Sequence, residues 1–190
     1  RTHHLLVSHV PNVAPTAWLL AEHLSHDNPA LDGAGRVLLI ESDAAMSRGR
    51  IHRQKLHLIL VAMRTFADEL RERGVAVDLR SAPTFAVGVA AHRRENGGPA
   101  VRILRPTGPA AQAQARRIPG VQVIDGSLFL TTDEEFDEWA SGRRTLIMEG
   151  FYRWQRRRLD VLMVGGDPVE GRWNFDAENR QAFGAAGPGT

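Results

Sequence analysis

Residues 36–80, RVLLIESDAAMSRGRIHRQKLHLILVAMRTFADELRERGVAVDLR, read as a strand, a helix and a second strand. The run Val37-Leu38-Leu39-Ile40 is short and apolar at every position, the pattern of a strand buried on both faces. Leu56, Ile59, Leu60, Met63, Phe66, Ala67 and Leu70 then recur at spacings of three and four, so they line one face of a helix. The opposite face carries Arg64, Asp68, Glu69, Arg71, Glu72 and Arg73. Asp68 with Arg71, and Glu69 with Arg73, are spaced to pair, each contributing about 0.3 kcal/mol. Gly74 stands where the helix ends, because glycine takes the left-handed conformation without a Cβ clash. Val75-Ala76-Val77-Asp78-Leu79 starts the next strand. A strand, a crossover helix and a strand form a right-handed βαβ unit, and the remaining elements must join its sheet.

Working outward, residues 4–10 read as a first strand ending at Pro11, and residues 14–25 as a helix carrying Trp18, Leu19, Ala21 and Leu24. Residues 27–35 are a loop rich in Asn, Pro, Asp and Gly. Beyond the central unit, residues 82–94 suit a helix with Pro83 at an early position. Asn96-Gly97-Gly98-Pro99 breaks it. Residues 100–104 and 121–124 read as strands, separated by the loop 105–109 and an alanine-rich helix at 110–117. About five strands alternating with helices predict an α/β fold, a Rossmann-like parallel sheet with helices on both faces. The texture changes after Asp125. Thr132 followed by Glu135 is spaced as a capping box for a helix bearing Phe136 and Trp139, and Gly142 ends it. Residues 148–163 form a long helix candidate dense in arginine and aromatics, and Gly165-Gly166-Asp167-Pro168 is a turn. The expected organisation is an α/β domain at 1–145, a helical lead toward an absent domain at 146–180, and a disordered Gly, Ala and Pro-rich tail at 181–190.

Composition narrows the function classes. The 190 residues suffice for one full core, with 43% hydrophobic and 24% charged residues. A formal net charge of +2 argues against a chain devoted as a whole to a polyanion. Lys55 is the only lysine, and cysteine is absent, which removes disulfides, thiolate nucleophiles and iron–sulfur ligation from this chain. No apolar run approaches the roughly 20 residues of a membrane span, and no secretory signal pattern is visible, so a cytoplasmic location is expected. Walker loops, G-x-G-x-x-G, H-E-x-x-H and G-x-S-x-G motifs are all missing. His23 and His26 are three apart on the expected helix but have no evident third ligand, so no metal site is assigned. His52 and His57, five apart, would not share a helix face.

Two groups of residues could carry chemistry. In open α/β sheets ligands bind outside the carboxyl ends of the strands, where strand order reverses. Ser8, His9, Glu41, Ser42 and the loop 105–108, with Arg105 and Thr107, fall there. The same residues also read as ordinary loop polars, and spacing alone favours that reading. Arg153, Arg156, Arg157 and Arg158, interleaved with Phe151, Tyr152 and Trp154, suit phosphates and bases. The alternative is a helix whose aromatics pack inward while its arginines face water.

Three ordered blocks carry a family likeness. The first is His52-Arg53-Gln54-Lys55-Leu56 leading to Ala62-Met63-Arg64, Phe66-Ala67, Glu69-Leu70 and Gly74. The second is Phe129-Leu130, Glu134-Glu135-Phe136, Trp139, Gly142-Arg143, Met148-Glu149 and Phe151-Tyr152-Arg153. The third is Leu162-Met163, Pro168, Gly171, Trp173-Asn174-Phe175-Asp176 and Glu178-Asn179-Arg180. Together they resemble the N-terminal domain of the photolyase-related proteins, the iron–sulfur bacterial cryptochrome and (6-4) photolyase branch, over nearly all of residues 4–180.

The resemblance implies a Rossmann-like domain that holds an antenna chromophore, 6,7-dimethyl-8-ribityllumazine. It also implies light-dependent repair of pyrimidine photoproducts in DNA once the domain is joined to a catalytic half. FAD and a 4Fe-4S cluster belong to that half, which this chain is expected to lack. In the family a Gly-Asp-Gln-Leu run closes the first strand. With a first strand at 4–10, Ser8-His9-Val10-Pro11 stands in its place. Arg105 stands where the family's loop is acidic, and Glu41 matches the family's glutamate after the second strand. The implied cofactor site is therefore Ser8, His9, Glu41, Ser42, Arg105 and Thr107. Two further readings stay open. One is a chromophore-free interaction module that holds DNA or a separate C-terminal subunit through the four arginines. The other is a degenerate stand-alone remnant.

Overall fold

The computed structural model describes residues 14–49, 51–126 and 128–174. Five parallel strands form one sheet: β1 (Thr16–Leu19), β2 (Arg36–Ser42), β3 (Val77–Ala82), β4 (Val101–Leu104) and β5 (Val121–Ile124). Their spatial order is β3-β2-β1-β4-β5. Alternate residues of a strand point to opposite faces, and both faces are apolar here. Ala17, Leu19, Val37 and Leu39 pack on one side against Met63, Phe66, Ala67 and Leu70 of α2 (Arg53–Glu72). Trp18, Leu38, Ile40, Val101 and Ile103 pack on the other against Val89 of α3 (Phe85–Glu95) and Ala115 of α4 (Pro109–Arg116). The sheet thus has helices on both faces, the expected α/β arrangement. Gly74 adopts φ +79° just past the C-cap of α2, as required of a residue ending a helix in the left-handed conformation.

The strand expected at 4–10 lies outside the described residues, and several other expectations are corrected. The helix expected over 14–25 is instead β1 followed by a single 3-10 turn at Ala21–His23. All four residues of β1 are buried, because it lies between β2 and β4 with a layer on each face. Burial on both sides erases the alternation that marks a strand, and the apolar positions then mimic a helix. Pro83 precedes the N-cap of α3 rather than entering it. Thr84 is the cap, its hydroxyl accepting from Val87 N at 3.2 Å. Asp68 and Arg71 pair at 2.8 Å as spaced, whereas Glu69 pairs with His26 at 3.1 Å.

A buried polar chain ties β1, β3 and α3 together. His92 is fully buried. Its Nδ1 lies 2.6 Å from Asp78 Oδ2, and its Nε2 lies 2.9 Å from the Thr16 hydroxyl. Arg80 holds the same carboxylate through two hydrogen bonds, 2.9 and 2.5 Å, and reaches Glu95 at 2.7 Å. Every side chain in this chain has a partner, which is what burial of polar groups demands.

The chain divides into two compact units between Leu130 and Thr131. The second contains α5 (Asp133–Ala140) and α6 (Met148–Leu159), followed by a two-stranded antiparallel hairpin, β6 (Met163–Val164) and β7 (Asp167–Pro168). Both halves of the Thr132–Glu135 capping box are formed. The expected helix to residue 163 stops at Leu159, because Asp160 turns left-handed at φ 53° and releases the chain into the hairpin. Phe136, Trp139, Phe151 and Trp154 form one aromatic cluster with ring centroids 5.0 to 6.3 Å apart.

Candidate site at the carboxyl ends of the strands

The chain runs from β1 outward to β3 on one side, then crosses back to β4 and β5 on the other. Strand order therefore reverses between β1 and β4, the place where open sheets bind ligands. Ser8 and His9, expected there, lie outside the described residues. The segment that does leave the carboxyl end of β1 is Leu20-Ala21-Glu22-His23-Leu24. Glu22 bridges the switch point. Its carboxylate accepts from the Thr107 amide at 3.2 Å and from the Thr107 hydroxyl at 2.9 Å, in the loop after β4. Arg105 begins that loop, its backbone N–H donating to Ile124 O at 3.0 Å. Pro106 beside it is fully buried.

His23 is the unusual member. Its side chain is wholly buried, yet neither ring nitrogen has a hydrogen-bond partner among the described residues. Burial pushes its pKa below the usual histidine value, and Glu22, 3.6 Å away, opposes that shift without cancelling it. The ring is therefore neutral at pH 7 and offers one N–H and one lone pair.

Glu41 closes β2, one residue before its end, and is almost fully buried. Continuing the β1–β2 register beyond Leu19 and Leu39 places it level with Ala21. Arg64 of α2 grips its carboxylate with Nε at 2.7 Å and Nη2 at 3.0 Å, and the Ser81 hydroxyl donates to Oε2 at 3.3 Å. The Arg64 hydrogen bonds hold the Glu41 pKa below the usual carboxylate range, against the upward pull of burial. Ser42 is the N-cap of α1 (Asp43–Met46), its hydroxyl accepting from Ala45 N at 3.3 Å. Glu41 and Ser42 thus lie at the carboxyl end of β2, Arg105 and Thr107 just beyond β4, and Glu22 and His23 just beyond β1; Glu22 meets Thr107, while Arg64 and Ser81 meet Glu41. Reading β1 as a helix hid Glu22 and His23. The Ala21-Glu22-His23-Leu24 run after a short apolar stretch was the signal available for them.

The arginines of α6 have specific local roles. Arg156 is buried. Its Nε donates to Val161 O at 3.1 Å, Nη1 donates to Arg172 O and Trp173 O at 3.4 and 3.2 Å, and Nη2 donates to Leu162 O. Arg158 pairs with Glu135 at 2.6 Å and lies over the Trp154 ring. Arg153 pairs with Glu149 at 2.8 Å, and both Arg153 and Arg157 lie over the Trp173 ring, at 5.5 and 4.4 Å. The four therefore do not form one outward-facing cationic row. Among the described residues no cluster of His, Asp and Glu could hold a metal ion, and no helix is long and apolar enough to cross a membrane.

A parallel five-stranded sheet flanked by helices, with buried polar groups at its switch point, defines a Rossmann-like α/β module. Residues 17–188 match the deoxyribodipyrimidine photo-lyase-related protein family, and the chain belongs to that family. It is 35% identical over 178 residues to a (6-4) photolyase of Agrobacterium fabrum, an alignment covering 86% of this chain and 35% of that protein. A shorter stretch of 59 residues is 27% identical to an uncharacterized protein of Acanthamoeba polyphaga mimivirus, covering 29% of this chain and 30% of that protein. The chain thus spans about a third of the length of the (6-4) photolyase it matches. Membership supports a photolyase-related role.

Proposed function

We propose that this chain is the antenna-type α/β domain of a photolyase-related protein and acts in light-dependent DNA repair together with a flavin-bearing catalytic portion. The observation that carries this reading is His23, a fully buried ring at the β1–β4 switch point with no hydrogen-bond partner for either nitrogen among the described residues. Leaving such atoms unsatisfied costs about 1–3 kcal/mol, a cost a protein sustains where a ligand completes the bonds. A heterocycle with alternating carbonyl and N–H groups, such as 6,7-dimethyl-8-ribityllumazine, supplies both complements. His23 would donate to and accept from its polar edge. Glu22 and Thr107 would fix the β4 loop beside it, and Glu41, held by Arg64, would bound the β2 side. Bound there, the chromophore would supply light absorption in the near-ultraviolet to blue region.

The test is an absorption spectrum of the purified chain before and after soaking with the ribityllumazine and desalting. A retained, red-shifted band that is lost in Glu41→Ala supports the reading. A protein that stays colourless at high micromolar ligand overturns it.

A further inference from the structure

β1 is paired with β2 along its whole length, and β4 with β5 along its whole length. Between β1 and β4 the pairing stops halfway, at Thr16–Val101 and Ala17–Arg102. The carboxyl halves of these two strands, Trp18-Leu19 and Ile103-Leu104, therefore leave the ladder open at the switch point. Beyond this opening, Glu22 on the β1 side and Thr107 on the β4 side reach across to each other.

The two ends of that bridge differ in stiffness. Thr107 stands on a fixed post. The Arg105 N–H donates to Ile124 O at 3.0 Å, Pro106 is fully buried, and Gln112 Nε2 donates to Pro106 O at 2.9 Å. Glu22 is a long side chain on a three-residue 3-10 turn that has no side-chain cap. Its Oε1 accepts from the Thr107 amide and lies 3.6 Å from His23 Nε2, and its Oε2 accepts from the Thr107 hydroxyl. The carboxylate thus stands over one nitrogen of a ring that is wholly buried yet without a hydrogen-bond partner among the described residues. A ligand reaches that nitrogen once the carboxylate has moved aside. Swinging Glu22 away breaks its bonds to Thr107 and leaves the sheet paired, so opening is a local event.

We propose that Glu22 is a latch over His23. Docked on Thr107 it seals the ring, and undocked it admits a planar heterocycle to the ring nitrogens. This rests on the reading of His23 as a ligand-facing group. The latch is docked both before and after binding, so it sets the rates of entry and exit and leaves affinity alone.

Carbethoxylation by diethyl pyrocarbonate, followed at each histidine of the whole chain by peptide mass spectrometry, reads the latch without a ligand. In wild type, His23 should react at least about tenfold more slowly than the exposed His57. Thr107→Val keeps the bulk and the amide hydrogen bond but loses the hydroxyl, and should speed reaction at His23 about three- to tenfold. Glu22→Ala removes the latch and should speed it further, and adding Thr107→Val to Glu22→Ala should then change nothing. His92, fully buried in the core, should keep its wild-type rate in every variant, which separates local opening from loosening of the whole fold. A His23 rate that the variants leave unchanged, or that rises only together with that of His92, overturns the proposal. Stopped-flow binding of 6,7-dimethyl-8-ribityllumazine gives the second readout. Thr107→Val should raise the association and dissociation rates by the same factor, with Kd within about twofold of wild type. A weakened Kd at an unchanged association rate makes Thr107 a ligand contact and also overturns the latch. A wild-type chain that never binds the ribityllumazine overturns the antenna reading, while the rates at His23 still decide the latch.

Discussion

Three titratable side chains with depressed pKa values set how this protein should respond to acid. His23 is held below its usual value chiefly by burial. The unfolded chain therefore takes up that proton first, and stability falls as pH drops below about 6.5. Glu41 is depressed chiefly by its hydrogen bonds to Arg64. For Asp78 burial is the largest influence and pulls upward, but the hydrogen bonds from Arg80 and His92 and their charges outweigh it. Both carboxylates stabilise the fold above about pH 4 and lose that contribution as pH falls through their folded values. Urea midpoints measured against pH should thus fall in two stages, and His23→Gln should flatten only the upper one. His92→Ala removes a buried partner of Asp78 and orphans the Thr16 hydroxyl. It should cost about 2–4 kcal/mol at pH 7 by urea unfolding, and a loss below about 0.5 kcal/mol would mean that the network relaxes without it.

At the scale of elements, packing and backbone geometry give two sharper expectations. Gly88 faces β2 so closely that a Cβ there would meet Ile40 Cδ1 at 2.9 Å and Cγ2 at 3.0 Å. Gly88→Val should destabilise by about 2–3 kcal/mol, and adding Ile40→Ala should recover part of that loss in thermal unfolding. Arg156 gathers the carbonyls of Val161, Leu162, Arg172 and Trp173 onto α6, in a stretch where Asp160, Leu162 and Glu170 all adopt positive φ. Arg156→Met should leave α6 helical while amides of residues 161–173 lose hydrogen-exchange protection, and retained protection would assign the hairpin's stability elsewhere. The sequence made much of this level legible. Period-3.6 apolar spacing located α2, and Thr132 with Glu135 located the start of α5, because those signals are local. β1 was not legible, because a four-residue strand buried on both faces has no period. The role of Arg156 was equally hidden, since the chain path that brings four carbonyls to one guanidinium is set by left-handed residues at non-glycine positions.

Across the whole molecule, stability and ligand binding should pull in opposite directions at one buried residue. Glu41 was visible beforehand as a candidate because it ends an unmistakable strand. His23 was not, because its importance depends on β4 and the loop around Thr107 arriving from more than eighty residues away. The fold buries His23 completely and leaves both ring nitrogens without partners among the described residues. If those nitrogens exist for a ligand, an apolar side chain of similar bulk should suit the ligand-free protein better. His23→Leu should raise ligand-free stability by about 1–2 kcal/mol, read as a higher melting temperature and a higher urea midpoint with unchanged slope. The same substitution should weaken ribityllumazine binding at least about tenfold, since the ligand's polar edge would then face hydrocarbon. Wild type should gain melting temperature as ligand is added, following RT ln(1 + [L]/Kd), and His23→Leu should gain little. A drop in ligand-free stability would show that the ring already has a satisfied place in the core. A stability gain with undiminished binding would place the chromophore elsewhere and leave the orphaned ring as a tolerated defect.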